Sequence, residues 1–194
     1  MIKPATIVTV LFARQDSVYK TMPNTDVYDI SRDARTWTGN TPVIAHPPCR
    51  AWGRLRTFAN PRPDEKQLAV FAVDQVRRCG GCLEHPASST LWSNQALPLP
   101  GQGRDDWGGW TMPVDQNWFG HRAQKATWLY IVGIDPNRLP PYPLTLGLAT
   151  HVIGTPRPGP NGRKRPEITK AEREHTPREF AEWLLLVASQ SRPK

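Results

Sequence analysis

Two residues of this 194-residue chain have the chemistry of a covalent catalyst and its acidic partner. Cys49 closes the stretch Pro42-Val43-Ile44-Ala45-His46-Pro47-Pro48-Cys49-Arg50, and Glu84 lies in Gly81-Cys82-Leu83-Glu84-His85-Pro86. A thiolate attacks electron-poor carbon, and a carboxyl group can hydrogen-bond the ring under attack or exchange protons with it. Val43, Ile44 and Ala45 have the apolar, partly β-branched make-up of a buried strand, and Pro47 and Pro48 cannot continue its ladder. The cysteine is therefore expected at a strand's carboxyl end, where open α/β sheets place their chemistry. The two prolines restrict where its sulfur can point. A structural thiol is the alternative for a lone cysteine.

The elements that must position the pair follow from the pattern. Residues 5–12 (ATIVTVLF) read as a first buried strand and residues 27–30 as a second, with Asp29 at its end. Asp33-Ala34-Arg35 starts a short helical turn. Pro63-Asp64-Glu65 opens a helix, Leu68, Phe71, Ala72 and Val76 recur at helical spacing, and Arg77, Arg78 and Gly80 close it. Residues 81–86 form the next strand. In a right-handed β-α-β unit the ends carrying Cys49 and Glu84 lie side by side on one rim. Residues 88–95 read as a brief helix, residues 97–111 as a Pro/Gly-rich loop without periodicity, and 139–144 as extended. Trp118-Phe119 and residues 126–133 read as antiparallel strands around a turn at Gly120-His121. Thr176-Pro177-Arg178-Glu179 resembles a capping box, and the helix it opens, at about 177–190, has Phe180, Trp183, Leu184 and Val187 on one face. The expected fold is a single-domain α/β sheet with a mixed edge.

Composition limits the function classes. The apolar fraction is 38%, mean hydropathy is −0.54, and no run reaches membrane-spanning length. Three cysteines make no disulfide framework, and the N-terminus lacks a cleavage pattern, so a cytoplasmic protein is expected. A net charge of +8 favours a polyanionic partner. Arg157, Arg163, Lys164, Arg165, Lys170, Arg173 and Arg178 crowd a late segment, including a basic Pro/Gly-rich loop at about 154–168, that is suited to phosphate contact or is simply solvated. Cys79-x-x-Cys82 lacks the second ligand pair of a zinc site, and no metal is assigned. Trp52, Trp92, Trp107 and Trp110 are candidates for base stacking, Trp52 foremost because it follows the cysteine loop. Asp105 and Asp106, adjacent in a Gly-rich loop, read as solvated rather than as a catalytic pair.

Several of these segments, in order, resemble the cytosine-C5 DNA methyltransferase family. Pro47-Pro48-Cys49 is similar to its Pro-Cys nucleophile loop and Leu83-Glu84-His85-Pro86 to its Glu-Asn-Val motif. Residues 120–127 (GHRAQKAT) are similar to a Gly-x-Pro-x-x-Lys-Pro-Thr stretch of phage-type members, and Glu172-Arg173-Glu174-His175-Thr176-Pro177 to their C-terminal element. The resemblance implies a Rossmann-like methyltransferase-type mixed sheet with flanking helices, acting on DNA or a pyrimidine nucleotide. It makes Cys49 the nucleophile toward C6 of a flipped-out pyrimidine and Glu84 the group that holds N3 and the exocyclic amine. His46, Pro48, Arg50, Trp52, Arg54, His85 and Lys125 are the implied substrate-side residues, with Arg50 or His46 lowering the thiol's pKa. Arg54, Arg56 and Lys125 would bind phosphate or the base carbonyl.

S-adenosylmethionine is the implied donor, with Phe12, Asp16 and Asp29 as its candidate contacts. The first strand, however, runs into Phe12-Ala13-Arg14-Gln15-Asp16-Ser17 without a glycine, and the chain has no room for a target-recognition domain. Three expectations stay open: a reduced methyltransferase, an enzyme with another one-carbon donor, or a catalytically altered pyrimidine-modifying relative or one that only binds nucleotide or nucleic acid.

Overall fold

A computed structural model describes residues 6–145, 147–154, 162 and 164–192. Six strands form one mixed sheet: β1 (Val8–Leu11), β2 (Thr25–Val27), β3 (Val43–Ala45), β4 (Gly81–Pro86), β5 (Trp110–Asp115) and β6 (Ala126–Val132). Their order is β2-β1-β3-β4-β6-β5, parallel from β2 through β4 and antiparallel at β6 and β5. The helices are α1 (Glu65–Cys79), α2 (Leu91–Asn94), α3 (Lys170–Glu174) and α4 (Arg178–Gln190). No described helix is long and apolar enough to cross a membrane.

Strand alternation divides the core into two layers. Val8, Val10, Ile44, Cys82, Leu129 and Ile131 pack against Phe180, Leu184 and Val187 of α4. Leu11, Val43, Ala45, Leu83, Tyr130 and Val132 pack against Ala69, Ala72, Val73 and Val76 of α1. Cys79 and Cys82 are both buried and belong to different layers, so the Cys-x-x-Cys spacing does not bring the two thiols together.

The connection from α1 to β4 sets the register of the rim. Gly80 ends α1 at φ 74°, and Gly81 follows at φ 109°. A Cβ on Gly81 would lie 2.0 Å from the Val43 carbonyl oxygen, so only glycine lets β4 approach β3 this closely. Val43 then pairs with Gly81 and Ala45 with Leu83, while Leu11 pairs with Ala45. Leu11, Ala45 and Leu83 stand in one row, which levels the next residues, Phe12, His46 and Glu84, along the carboxyl rim.

Several expectations need correction. The partner of β6 is Trp110–Asp115, placed by sequence partly within the long loop, whereas Trp118-Phe119 lies in a 3-10 turn, Gln116–Phe119. Pro113 is tolerated within β5 because β5 is the sheet's edge. The second strand is Thr25–Val27 and ends before Asp29. Helix α4 begins after Pro177 without a side-chain cap; the capping box belongs to α3, from Thr169 and Glu172.

Candidate functional site

The chain leaves β1 for β2 on one side and returns to β3 on the other, which makes the gap beyond β1 and β3 the sheet's topological switch point. Phe12 and His46 emerge there, with Glu84 beside them. The Glu84 carboxylate is held by two donors: His46 Nδ1 lies 3.1 Å from Oε2 and Gln116 Nε2 3.0 Å from Oε1. Gln116 also donates to Thr127 Oγ1 at 3.1 Å. On the far side of the imidazole, the Tyr19 hydroxyl is 3.1 Å from His46 Nε2. Because Glu84 is ionised, Nδ1 carries the donating proton and the Tyr19 hydroxyl donates to Nε2. Burial opposes ionisation of Glu84, but the His46 hydrogen bond and the positive charge of Lys125 outweigh it and bring its pKa down to about 2.

Cys49 is open to solvent at the start of a turn in which its carbonyl accepts from Trp52 N (3.0 Å) and Gly53 N (2.7 Å). Protein atoms around the sulfur desolvate it and the Glu84 charge repels the thiolate, so its pKa is raised; the Lys125 charge acts the other way. Cys49, Glu84 and Lys125 thus share one electrostatic neighbourhood. The Arg50 charge is felt by the thiolate, yet it does not bring the thiol pKa below its ordinary value. Arg50 instead forms a two-point pair with buried Glu65, at 3.1 and 2.6 Å, which ties the cysteine turn to the first turn of α1.

The remaining candidates divide clearly. Pro48 is half-buried in the loop, and Arg54 is exposed beyond it. Lys125 is half-buried, its Nζ 3.4 Å from the His175 carbonyl oxygen. Trp52 is buried, against the stacking role expected of it, and Trp92 and Trp110 are buried too. Trp107 is exposed but covered on one face by the Arg77 guanidinium, 3.8 Å from its ring centroid. His85 faces the α1 layer, opposite Glu84, fully buried with neither ring nitrogen hydrogen-bonded, so it cannot touch a ligand on the Glu84 side. Burial brings its pKa down to about 4, although the Glu84 charge and the nearby Pro48 carbonyl favour protonation. Asp105 is not solvated: it accepts from Tyr130 Oη (2.6 Å), Gly109 N and Trp107 N, pinning the 97–109 loop.

The residues expected to hold S-adenosylmethionine do not fit it. The Asp29 carboxylate accepts from Lys20, Ser31 N and Arg32 N, which occupies the group expected to bind ribose. Asp16 is paired with Arg14 and His175, and Arg14 also reaches Glu174 at 2.8 Å, so the β1 turn is fastened to the C-terminal end of α3 and the residue after it. Phe12 takes the left-handed conformation, φ 62°, with a side chain where a glycine would admit a cofactor. Two open concavities of about 490 Å³ lie elsewhere, one along Trp110 and residues 136–144, the other along residues 92–105.

Of the late basic residues, Arg157 and Arg163 lie outside the described residues. Arg165 donates to the Ala149 carbonyl, Arg173 pairs with Glu167 and Arg178 with Glu182. Sequence reasoning missed Tyr19, Gln116, Thr127 and Glu65. Two had a signal: Glu65 as an acid in a helix's first turn, and Thr127 as the last residue of the 120–127 stretch. Comparison with protein-family models, curated proteins and solved structures finds no match.

Proposed function

We propose that this protein is a pyrimidine-modifying enzyme that works through covalent addition of Cys49 to C6 of the base, with DNA as the favoured carrier of that base. The carrying observation is that Cys49, an exposed residue in the turn after β3, and the ionised, doubly hydrogen-bonded Glu84 at the rim each feel the charge of Lys125, and the thiolate feels that of Glu84. The strand-order reversal at that rim supports the Rossmann-like methyltransferase-type reading of the fold.

The chemistry follows from the groups. Cys49 loses its proton to solvent, and its sulfur forms a bond to C6 as the C5–C6 π pair moves into the ring. Glu84, held as an acceptor, takes the exocyclic N–H and stabilises the proton that N3 takes from water as charge develops and returns when the thiolate leaves. Lys125 supplies positive charge for the base carbonyl or a phosphate. C5 is then nucleophilic and takes a proton from water; loss of the original C5 hydrogen and expulsion of the thiolate return the base. Any donor-dependent product branches from that same adduct. Because the expected S-adenosylmethionine contacts are engaged elsewhere, no step is assigned to it.

The test is deuterium uptake at C5 of cytosine in an oligonucleotide and in a mononucleotide, read by mass spectrometry. Exchange that disappears in Cys49→Ser supports the proposal. Exchange in neither substrate at any pH overturns it and leaves the second reading, a nucleotide- or nucleic-acid-binding relative without catalysis, which the occupied Asp16 and Asp29 favour.

A further inference from the structure

The turn that carries Cys49 continues into an exposed segment unlike the rest of the surface. Between Pro47 and Pro63 there are four arginines and no acidic residue. Arg50 is neutralised by Glu65, and Arg62 lies 3.5 Å from Asp64. Arg54 and Arg56 have no acidic partner among the described residues; the Arg56 guanidinium reaches only the Gly53 carbonyl, at 3.4 Å. Phe58 is 88% exposed and Leu55 60%, which gives the segment the most exposed aromatic side chain named among the described residues. The exposure is built in. Backbone bonds from Arg56 N to Gly53 O, Phe58 N to Leu55 O and Ala59 N to Arg56 O fold 53–59 into consecutive tight turns. Trp52, buried beneath, anchors them through Thr90, whose N–H donates to its carbonyl at 3.0 Å.

We infer that this segment is a platform for single-stranded nucleic acid, with a base stacked on Phe58 and phosphates on Arg54 and Arg56. Unpaired cations beside an exposed aromatic ring are the combination by which single strands are held without base-edge readout. The partner is single-stranded rather than duplex for two reasons. Stacking on Phe58 needs a base face that a duplex buries, and extruding a base from duplex carries an added cost that a single strand avoids. The segment also has no regular helix or two-stranded ribbon to enter a major groove, only the 3-10 turn Arg56–Phe58. The inference deepens the function proposed above by naming the form of its substrate, and it rests on that reading only for the chemistry, since binding is separable from it.

The experiment uses the full chain carrying Cys49→Ser, so that only non-covalent binding is read. Fluorescence anisotropy compares a labelled 20-nucleotide single strand with the same strand in duplex. The single strand binds at least about 10-fold more tightly; Phe58→Ala weakens it by about 5- to 100-fold and Phe58→Trp restores it. Replacing Arg54 and Arg56 together by Ala lowers the slope of log K against log salt by about 1.4, two single-strand phosphates' worth. Equal or tighter duplex binding, no binding to either form, or wild-type affinity in Phe58→Ala overturns the inference. C5 exchange on an oligonucleotide and on a free mononucleotide is measured in parallel with Cys49 intact. Exchange on neither substrate, with single-strand binding retained, sinks the catalytic reading and leaves the platform standing.

Discussion

Glu84 and His85 are consecutive residues of one strand and live in opposite chemical worlds. On the α4 side of the sheet, both carboxylate oxygens of Glu84 accept hydrogen bonds, and a chain of polar groups runs from Tyr19 through His46 to Gln116 and Thr127. On the α1 side, His85 has no partner on either ring nitrogen and meets the edge of Trp92, with centroids 6.3 Å apart. Strand alternation alone separates them. A buried charge is tolerated where the fold surrounds it with donors, and a buried imidazole without partners stays neutral. Motif reading cannot see that difference, because it treats Glu84-His85 as one word.

Moving the strand itself breaks the comparison most completely. Gly81→Ala would drive a Cβ into the Val43 carbonyl at a backbone conformation that alanine rarely adopts. We expect a loss of at least about 3 kcal/mol in urea unfolding, with His46 and Glu84 no longer level. Near-wild-type stability would show that this register is not what aligns the rim.

Glu84→Gln tests one side alone. It keeps the shape and removes the charge that receives the developing positive character of the base, so C5 exchange should fall by about 10²- to 10³-fold. The same change removes repulsion of the thiolate, so alkylation of Cys49 by iodoacetamide at pH 7 should become about 3- to 10-fold faster. Lys125→Ala should slow alkylation. Because the native thiol pKa is raised, exchange by the wild-type protein should climb as pH rises from neutral into the alkaline range. Slower alkylation in Glu84→Gln would mean that the two groups do not share a field.

How much of this was legible beforehand depended on whether a feature is local. Residues 81–86 were read as a strand and the stretch from Pro63 to Gly80 as a helix because the glycines, the acidic first turn and the apolar spacing lie within the segments themselves. Cys49 and Glu84 were found because each ends a recognisable strand. Tyr19 was invisible: its partner, His46, is 27 positions away, and nothing around Tyr19 marks it as polar-bonded rather than simply buried. Gln116 was hidden because the start of β5 was read as part of the long loop and the residues after it were given no element. Trp52 and His85 were misassigned for one reason. Proximity to the cysteine and the acid says nothing about which face a side chain takes, and both turn into the α1 layer.

The pH dependence of stability sharpens the contrast. The His85 pKa is below the ordinary imidazole value, so the unfolded chain binds a proton first as pH falls. Stability supplied by neutral His85 is complete above about pH 6.5 and is lost progressively down to about pH 4. Glu84 is also depressed, so its contribution is complete above the ordinary carboxylate range and is lost only between about pH 4.5 and 2. His85→Leu should leave stability at pH 7 within about 1 kcal/mol of wild type, because it removes two unsatisfied nitrogens at similar volume. It should also flatten the profile between pH 6.5 and 4 while sparing the acid limb. A profile unchanged in that window would place the ionisation elsewhere.

The smallest expected effect concerns the far end of the Glu84 chain. Tyr19→Phe removes one hydroxyl from a fully buried ring and leaves its packing intact. His46 Nε2 then loses the donor that fixes its tautomer, at a cost of about 1 kcal/mol in urea unfolding. With Nε2 free to take the proton, the population in which Nδ1 donates to Glu84 falls, and C5 exchange should drop by only a few-fold. Because the hydroxyl lies two hydrogen bonds from the carboxylate, a loss as large as that of Glu84→Gln would mean that Tyr19 is not merely positioning His46. An unchanged ¹⁵N imidazole spectrum in Tyr19→Phe would mean that the tautomer is set by Glu84 alone.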